Sequence, residues 1–124
     1  MKTPTLAIGD SEMEVLNHVW ELKQATVAQV HERILQNRKV AYTTVMTMMQ
    51  NLAKKGFLSF ERDGQSYVYT PAIAPSSVKK DLLSHLMQKV FKGSPSALMQ
   101  ALVEQEDLPE EERDAIKAII NKME

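Results

Sequence analysis

The chain of 124 residues contains no cysteine. That excludes disulfides, thiolate catalysis and every cysteine-based metal site. Glycine is scarce as well, with four residues, and they do not cluster into a phosphate-cradling loop. No apolar run approaches the roughly 18 residues of a membrane span, and no signal-peptide pattern opens the chain, so the expected setting is cytoplasmic without membrane insertion. His18, His31 and His85 are scattered, without metal-ligand spacing, and neither a Ser/His/Asp arrangement nor an H-E-x-x-H run is present. Glu110-Glu111-Glu112 reads as a helix-start charge run and not a pair of catalytic carboxylates. The sequence therefore reads as a non-enzyme with no cofactor and no metal.

The most telling absence is local. Between Arg33 and Phe60 there are five basic side chains (Arg33, Arg38, Lys39, Lys54 and Lys55) and no acid, although the whole chain carries 16 acids against 15 basic residues. A net charge of −1 and a pI near 6.3 do not describe a uniformly basic protein, but a concentrated basic window is compatible with a polyanionic partner. Residues 1–75 sum to +1 and residues 76–124 to −2, so the C-terminal part is the acidic one. Hydrophobic content of 44 % and charged content of 25 % are ordinary for a globular protein of one compact domain, or of a small domain plus an extension.

What is present sorts into helices and one hairpin. Ser11-Glu12-Met13-Glu14 has a capping-box spacing opening a first helix, with Met13, Val15, Leu16, Val19 and Trp20 on its buried side. Thr26 to Gln29 repeats the pattern for a second helix, with Val27, Val30, Ile34 and Leu35 inward. A third begins at Tyr42 or Thr43 and ends at Gly56, the residue type favoured just past a helix C-terminus. Phe57–Arg62 and Gln65–Thr70 are β-prone runs, with Asp63-Gly64 as the positive-φ pair of a type I′ turn and Pro71 ending the second strand. Helix, helix, helix and hairpin is the order of a winged helix.

The expected fold is thus mainly α with a small β-hairpin wing: a winged helix-turn-helix domain over residues 1–72, a linker over 73–77 and a helical dimerisation domain over 78–124. In that last part a helix runs from Ser76 or Ser77 to about Phe91, a second opens at Ser94-Pro95 and a third at Leu108-Pro109.

At 100° per residue the third helix places Val45, Met48, Met49 and Leu52 on one side. Thr43, Thr47, Gln50 and Lys54 lie opposite, flanked by Thr44 and Asn51. A DNA major groove admits one α-helix, and hydroxyls and amides can read base edges while lysines pair with phosphate. A merely solvated face would mix both charge signs, and three threonines are poor helix formers that need another justification. Lys54 and Lys55 also suit the negative end of the helix dipole, so they carry a bland reading beside the functional one. Arg62 beside the turn is the expected wing contact, with Arg38 and Lys39 adding to the basic surface. Phe60, Tyr67 and Tyr69 read as packing against the helices behind the hairpin in preference to a base-stacking platform. The rival functional reading is a winged-helix protein–protein interaction module without DNA.

Thr43-Thr44-Val45 through Leu52-Ala53-Lys54-Lys55-Gly56, with Arg62-Asp63-Gly64 and Tyr67-Val68-Tyr69, resembles the BlaI/MecI/CopY family of penicillinase-type repressors. Glu14-Val15-Leu16, Val19-Trp20, Phe91-Lys92-Gly93-Ser94, Val103-Glu104 and Glu106-Asp107-Leu108 extend the resemblance over nearly the whole chain. The resemblance implies a homodimeric repressor on a double-stranded, dyad-symmetric operator. It also implies relief by proteolysis in the C-terminal domain, triggered through a membrane metalloprotease receptor. The family's β-lactam-responsive members are cleaved at an Asn-Phe pair, and the matching position here is Ala101-Leu102, the candidate cleavage site. The family often has arginine where this chain has Asn51. The cysteine-rich tail of the copper-responsive branch has no counterpart.

Leu82, Leu86, Val90, Leu98, Leu102, Ile116, Ile119 and Ile120 are the expected dimer-interface residues. A helical segment of about 50 residues rarely buries so much apolar surface alone. Burial against a symmetry mate resolves the deficit, whereas folding back on the N-terminal domain is the alternative.

Overall fold

The computed structural model describes residues 8–123. The chain divides into two compact units, Met1–Asp81 and Leu82–Glu124. The elements in chain order are α1 (Asp10–Leu22), α2 (Val27–Leu35), α3 (Tyr42–Lys54), β1 (Leu58–Asp63), β2 (Ser66–Pro71), α4 (Pro75–Lys89), α5 (Pro95–Val103) and α6 (Glu110–Met123). The fold is a winged helix followed by a helical extension.

The first unit closes around side chains from its three leading helices. Val15, Leu16 and Val19 of α1, Val30 and Ile34 of α2, and Val45, Met49 and Leu52 of α3 are essentially inaccessible to solvent. Each set recurs at helical spacing, so each helix turns one stripe inward. Leu35 departs from this pattern and is exposed. It sits about 100° round from Ile34, which carries it off the inward stripe of a short helix. Met13 and Trp20 are only half-buried.

Helix starts follow local chemistry. At α2 the Thr26 hydroxyl accepts from Gln29 N–H (3.2 Å) and the Gln29 side chain accepts from Thr26 N–H (2.9 Å), a complete capping box. The first helix begins one residue before the expected Ser11 cap. Its N-cap is Gly9, whose N–H donates to Glu12 Oε1 at 3.1 Å, so Glu12 and not Glu14 supplies the acidic half. Glu14 is thereby left for another partner.

At the end of α3, Gly56 adopts φ +90°. Phe57 N–H donates to Leu52 O (2.9 Å) and Gly56 N–H to Ala53 O (3.1 Å), the paired bonds of a Schellman stop. The chain then enters the hairpin, which pairs Leu58 with Pro71, Phe60 with Tyr69, and Asp63 with Ser66. The two loop residues are therefore Gly64 and Gln65, not Asp63 and Gly64. Only Gly64 has positive φ (+66°), which is the type II′ arrangement and spares Asp63 a left-handed backbone. An additional bridge pairs Ala25 with Tyr69 through N–H···O bonds of 2.9 and 2.8 Å, tying the wing to the α1–α2 loop.

Residues 75–77, expected in the linker, form the first turn of α4. Pro75 takes the N-terminal position where no N–H is required, and Ala74 O accepts from Ser77 and Val78 N–H. Val78 is buried, and the first compact unit runs to Asp81. In the second unit the Ser94 hydroxyl caps α5 by accepting from Ala97 N–H at 3.1 Å. Arg113 of α6 then donates to Val103 O (2.9 Å) and Gln105 O (2.6 Å) and pairs with Glu110 (2.6 Å). Carbonyls at the C-terminal end of α5 thus find their donors on the next helix.

Candidate nucleic-acid interface

Helix α3 is held by its buried stripe, and that stripe decides what it can show to solvent. Thr43, Thr44, Thr47, Gln50 and Lys54 are all exposed, while Asn51 is half-buried at the edge. Across from them stands the wing. A groove of about 760 Å³ separates the two, lined by Gln50, Ala53 and Lys54 on the helix and by Leu58, Ser59, Phe60, Tyr67 and Tyr69 on the hairpin.

The wing aromatics divide. Tyr69 is buried, and that burial pushes its hydroxyl above the ordinary phenol range, with Tyr67 and Tyr42 adding to the effect. Phe60 and Tyr67 are 51 % and 47 % exposed, their rings edge to face at 5.3 Å. Packing therefore accounts for Tyr69 alone, and the other two rings form one wall of the groove. Arg62, paired across the strands with Tyr67, is exposed and donates through Nε to Gly64 O at 3.0 Å.

The basic window is less free than its sequence suggests. Arg38 pairs with Glu14 at 2.6 Å, and Lys55 with Glu12 at 2.7 Å. Arg33 reaches Glu21 at 3.4 Å and donates through Nε to His18 Nδ1 at 3.1 Å. All three bases are thus drawn to side chains of α1. Among the described residues Lys39, Lys54 and Arg62 have no acidic partner. The expected DNA-contacting cations thereby fall into two groups: Arg38 and Lys55 engaged by α1, and Lys39, Lys54 and Arg62 available to phosphate. Chain separations of 24 and 43 residues hid these pairs from any local pattern.

These pairs also make stability pH-dependent. The Arg38 hydrogen bond holds the Glu14 carboxyl below its ordinary 4.5, against a smaller opposing effect of burial. For Glu12 burial works upward but is outweighed by the bonds from Lys55 and Gly9 N–H, and the net direction is again down. A lowered folded-state pKa contributes stability that is present above the unfolded value and disappears as pH falls through the folded one. Glu14→Gln is therefore expected to leave a shallower loss of thermal stability below about pH 4.5 than the parent chain shows, read by circular dichroism at a series of pH values. Identical acid limbs would remove Glu14–Arg38 from the account.

The turn entering α3 has its own clamp. His31 Nε2–H donates to Val40 O at 2.8 Å, and the His31 ring meets Tyr42 edge to face at 5.6 Å. Two of the three histidines thus work as structural ties of the helix-turn-helix. The wheel placed Met48 with the core, but it is half-buried and borders a hollow with Thr43, Thr44, Thr47 and Asn51. The signal was available: Met48 lies at the margin of the apolar stripe, next to the polar edge.

Of the expected interface residues in the second unit, Leu86, Val90, Leu102 and Ile119 are exposed, and Leu82, Leu98 and Ile116 are half-buried. Ile120 is 5 % exposed and buried within the protomer, so it is not available to face a partner. Ala101 and Leu102 lie inside α5, where Leu102 O accepts from Gln105 N–H at 3.2 Å.

Residues 8–122 match the family described as penicillinase repressor. The methicillin resistance regulatory protein MecI of Mammaliicoccus sciuri is 31 % identical over 122 residues, 98 % of this chain and 99 % of its own length. The transcriptional regulator BlaI of Mycobacterium tuberculosis is 34 % identical over 119 residues, covering 94 % of this chain and 85 % of that protein. The solution structure of monomeric Bacillus licheniformis BlaI in complex with the blaP half-operator is similar at a TM-score of 0.50 and 31 % identity, over 60 % of this chain and 89 % of that one. With the winged helix, the exposed face of α3 and a match that runs from Ile8 to Lys122, the chain belongs to the penicillinase repressor family.

Proposed function

We propose that the protein is a homodimeric transcriptional repressor, acting in the cytoplasm, that binds a dyad-symmetric DNA operator through α3 and the wing. The observation that carries this reading is the acid-free exposed face of Thr43, Thr44, Thr47, Gln50 and Lys54 beside the wing groove. Hydroxyls and amides there suit base edges, while Lys54, Lys39 and Arg62 suit phosphate. A solved relative in complex with its half-operator supports DNA as the partner. Six large apolar side chains stand exposed in the second unit (Leu83, Leu86, Val90, Leu102, Ile119 and Met123), and burial against a second copy would satisfy them. A twofold pair would place two copies of α3 about 34–36 Å apart, one turn of DNA.

Relief by proteolysis, through a membrane metalloprotease receptor pathway, is the finer part of the proposal. The Ala101–Leu102 bond lies in helical backbone, so α5 must unwind before a protease can take it. A mobility-shift assay with the DNA upstream of the protein's own gene is expected to give a shifted band at low salt. No shift under those conditions would leave the protein–protein module as the better reading.

A further inference from the structure

The hollow at the edge of the α3 face carries more information than its polar neighbours alone. It is lined by half-buried Met48 together with Thr43, Thr44, Thr47 and Asn51. The three threonines each bring a methyl as well as a hydroxyl, Met48 brings its apolar side chain and Asn51 an amide, so the depression offers apolar contact beside hydrogen-bonding groups. No charged side chain lines it. In the major groove, thymine is the base that presents a methyl, and its paired adenine presents N6 and N7, the pattern that an Asn amide meets in bidentate fashion. A phosphate would find no cation here. A guanine would find neither arginine nor lysine in the lining.

We propose that Met48 is a specificity-determining residue: the Met48 hollow receives the C5-methyl of one thymine in each operator half-site, with Asn51 against an adjacent adenine. This rests on the DNA-binding reading above and goes beyond it by naming the base and the group that is read. Methionine suits the task because its unbranched, polarisable side chain adapts to an irregular gap.

The test removes the methyl from the DNA and not from the protein. Each thymine of the footprinted operator is replaced in turn by deoxyuridine, which keeps every hydrogen-bonding group. At one thymine per half-site the parent protein is expected to lose about fourfold in affinity, the effect of leaving one methyl-sized group unburied. Met48→Ala is expected to bind the unmodified operator more weakly by a similar factor and to be indifferent to that replacement. Met48→Leu, of similar volume, should restore both affinity and methyl sensitivity. A deoxyuridine scan that is flat for the parent protein overturns the proposal without needing any variant to fold. A scan whose sensitive position stays equally sensitive in Met48→Ala overturns it too. Absence of binding to the unmodified operator at low salt would instead sink the repressor reading, and this inference with it.

Discussion

Raising the salt from about 50 to 200 mM is expected to weaken operator binding by about 10³-fold, and Lys54→Ala should flatten that dependence where Lys55→Ala should not. Of the cations expected to contact DNA, three per protomer lack an acidic partner among the described residues: Lys39, Lys54 and Arg62. On a twofold complex that makes about six neutralised phosphates, and each releases counterion for a combined log–log slope near −5. Losing Lys54 from both half-sites removes about 2 from that slope. Lys55 is adjacent in sequence and equal in charge, but its ammonium lies 2.7 Å from Glu12. Its removal leaves a carboxylate of α1 without that cation, and the cost of about 1 kcal/mol or less falls on folding. Binding titrations at four salt concentrations, paired with thermal melts, separate the two lysines. Equal slope changes for both would mean that DNA pulls Lys55 away from Glu12, and the division into engaged and available cations would fail.

Val90→Asp combined with Ile119→Asp is expected to yield a folded monomer whose operator affinity is lower by 100-fold or more. Val90 is 61 % and Ile119 47 % exposed, so a carboxylate at either site costs the isolated chain little. In a dimer the same carboxylates would be buried without partners. Monomers then meet each half-site separately and forfeit the roughly 10²–10⁴-fold gain of linked binding. Sedimentation reads the mass and a mobility shift reads the affinity. Ile120→Asp serves as the contrast: at 5 % exposure its carboxylate has nowhere to be hydrated, and the second unit should unfold. If the doubly substituted chain remains dimeric at full affinity, the exposed face of the second unit has another purpose.

How much of this was legible in advance depends on the range of each interaction. The Thr26–Gln29 box and the Gly56 stop involve residues within a single turn, and both stand where their spacing put them. The exposed side of α3 was legible for the same reason, since Val45, Met49 and Leu52 could share only one face. Errors of one or two residues entered where neighbours competed. Gly9, Asp10 and Ser11 can each open a helix, and only the reach of Glu12 back to Gly9 selects among them. Asp63 and Gln65 both flank Gly64, and the pairing of Asp63 with Ser66 decides which joins the turn. The engagement of Arg38 and Lys55 was beyond reach, because an acid-free stretch of sequence says nothing of acids that arrive from another helix. Exposure of Phe60 and Tyr67 was equally hidden: they share a hairpin face with buried Tyr69, and alternation does not say how far along that face the covering elements reach.

The position of Trp20 has a practical consequence. It is the sole tryptophan of the chain, and Lys79, near the start of α4, sits with its ammonium 5.5 Å from the ring centroid. A cation over an indole face alters the excited state of that ring, and at this distance the interaction is lost once the two side chains part. Trp20 also lies in α1 beside the buried Val19. Its emission therefore reports on whether the Lys79 ammonium stays over the indole ring. The molecule has an optical gauge of its own for that contact, readable in solution without any attached dye.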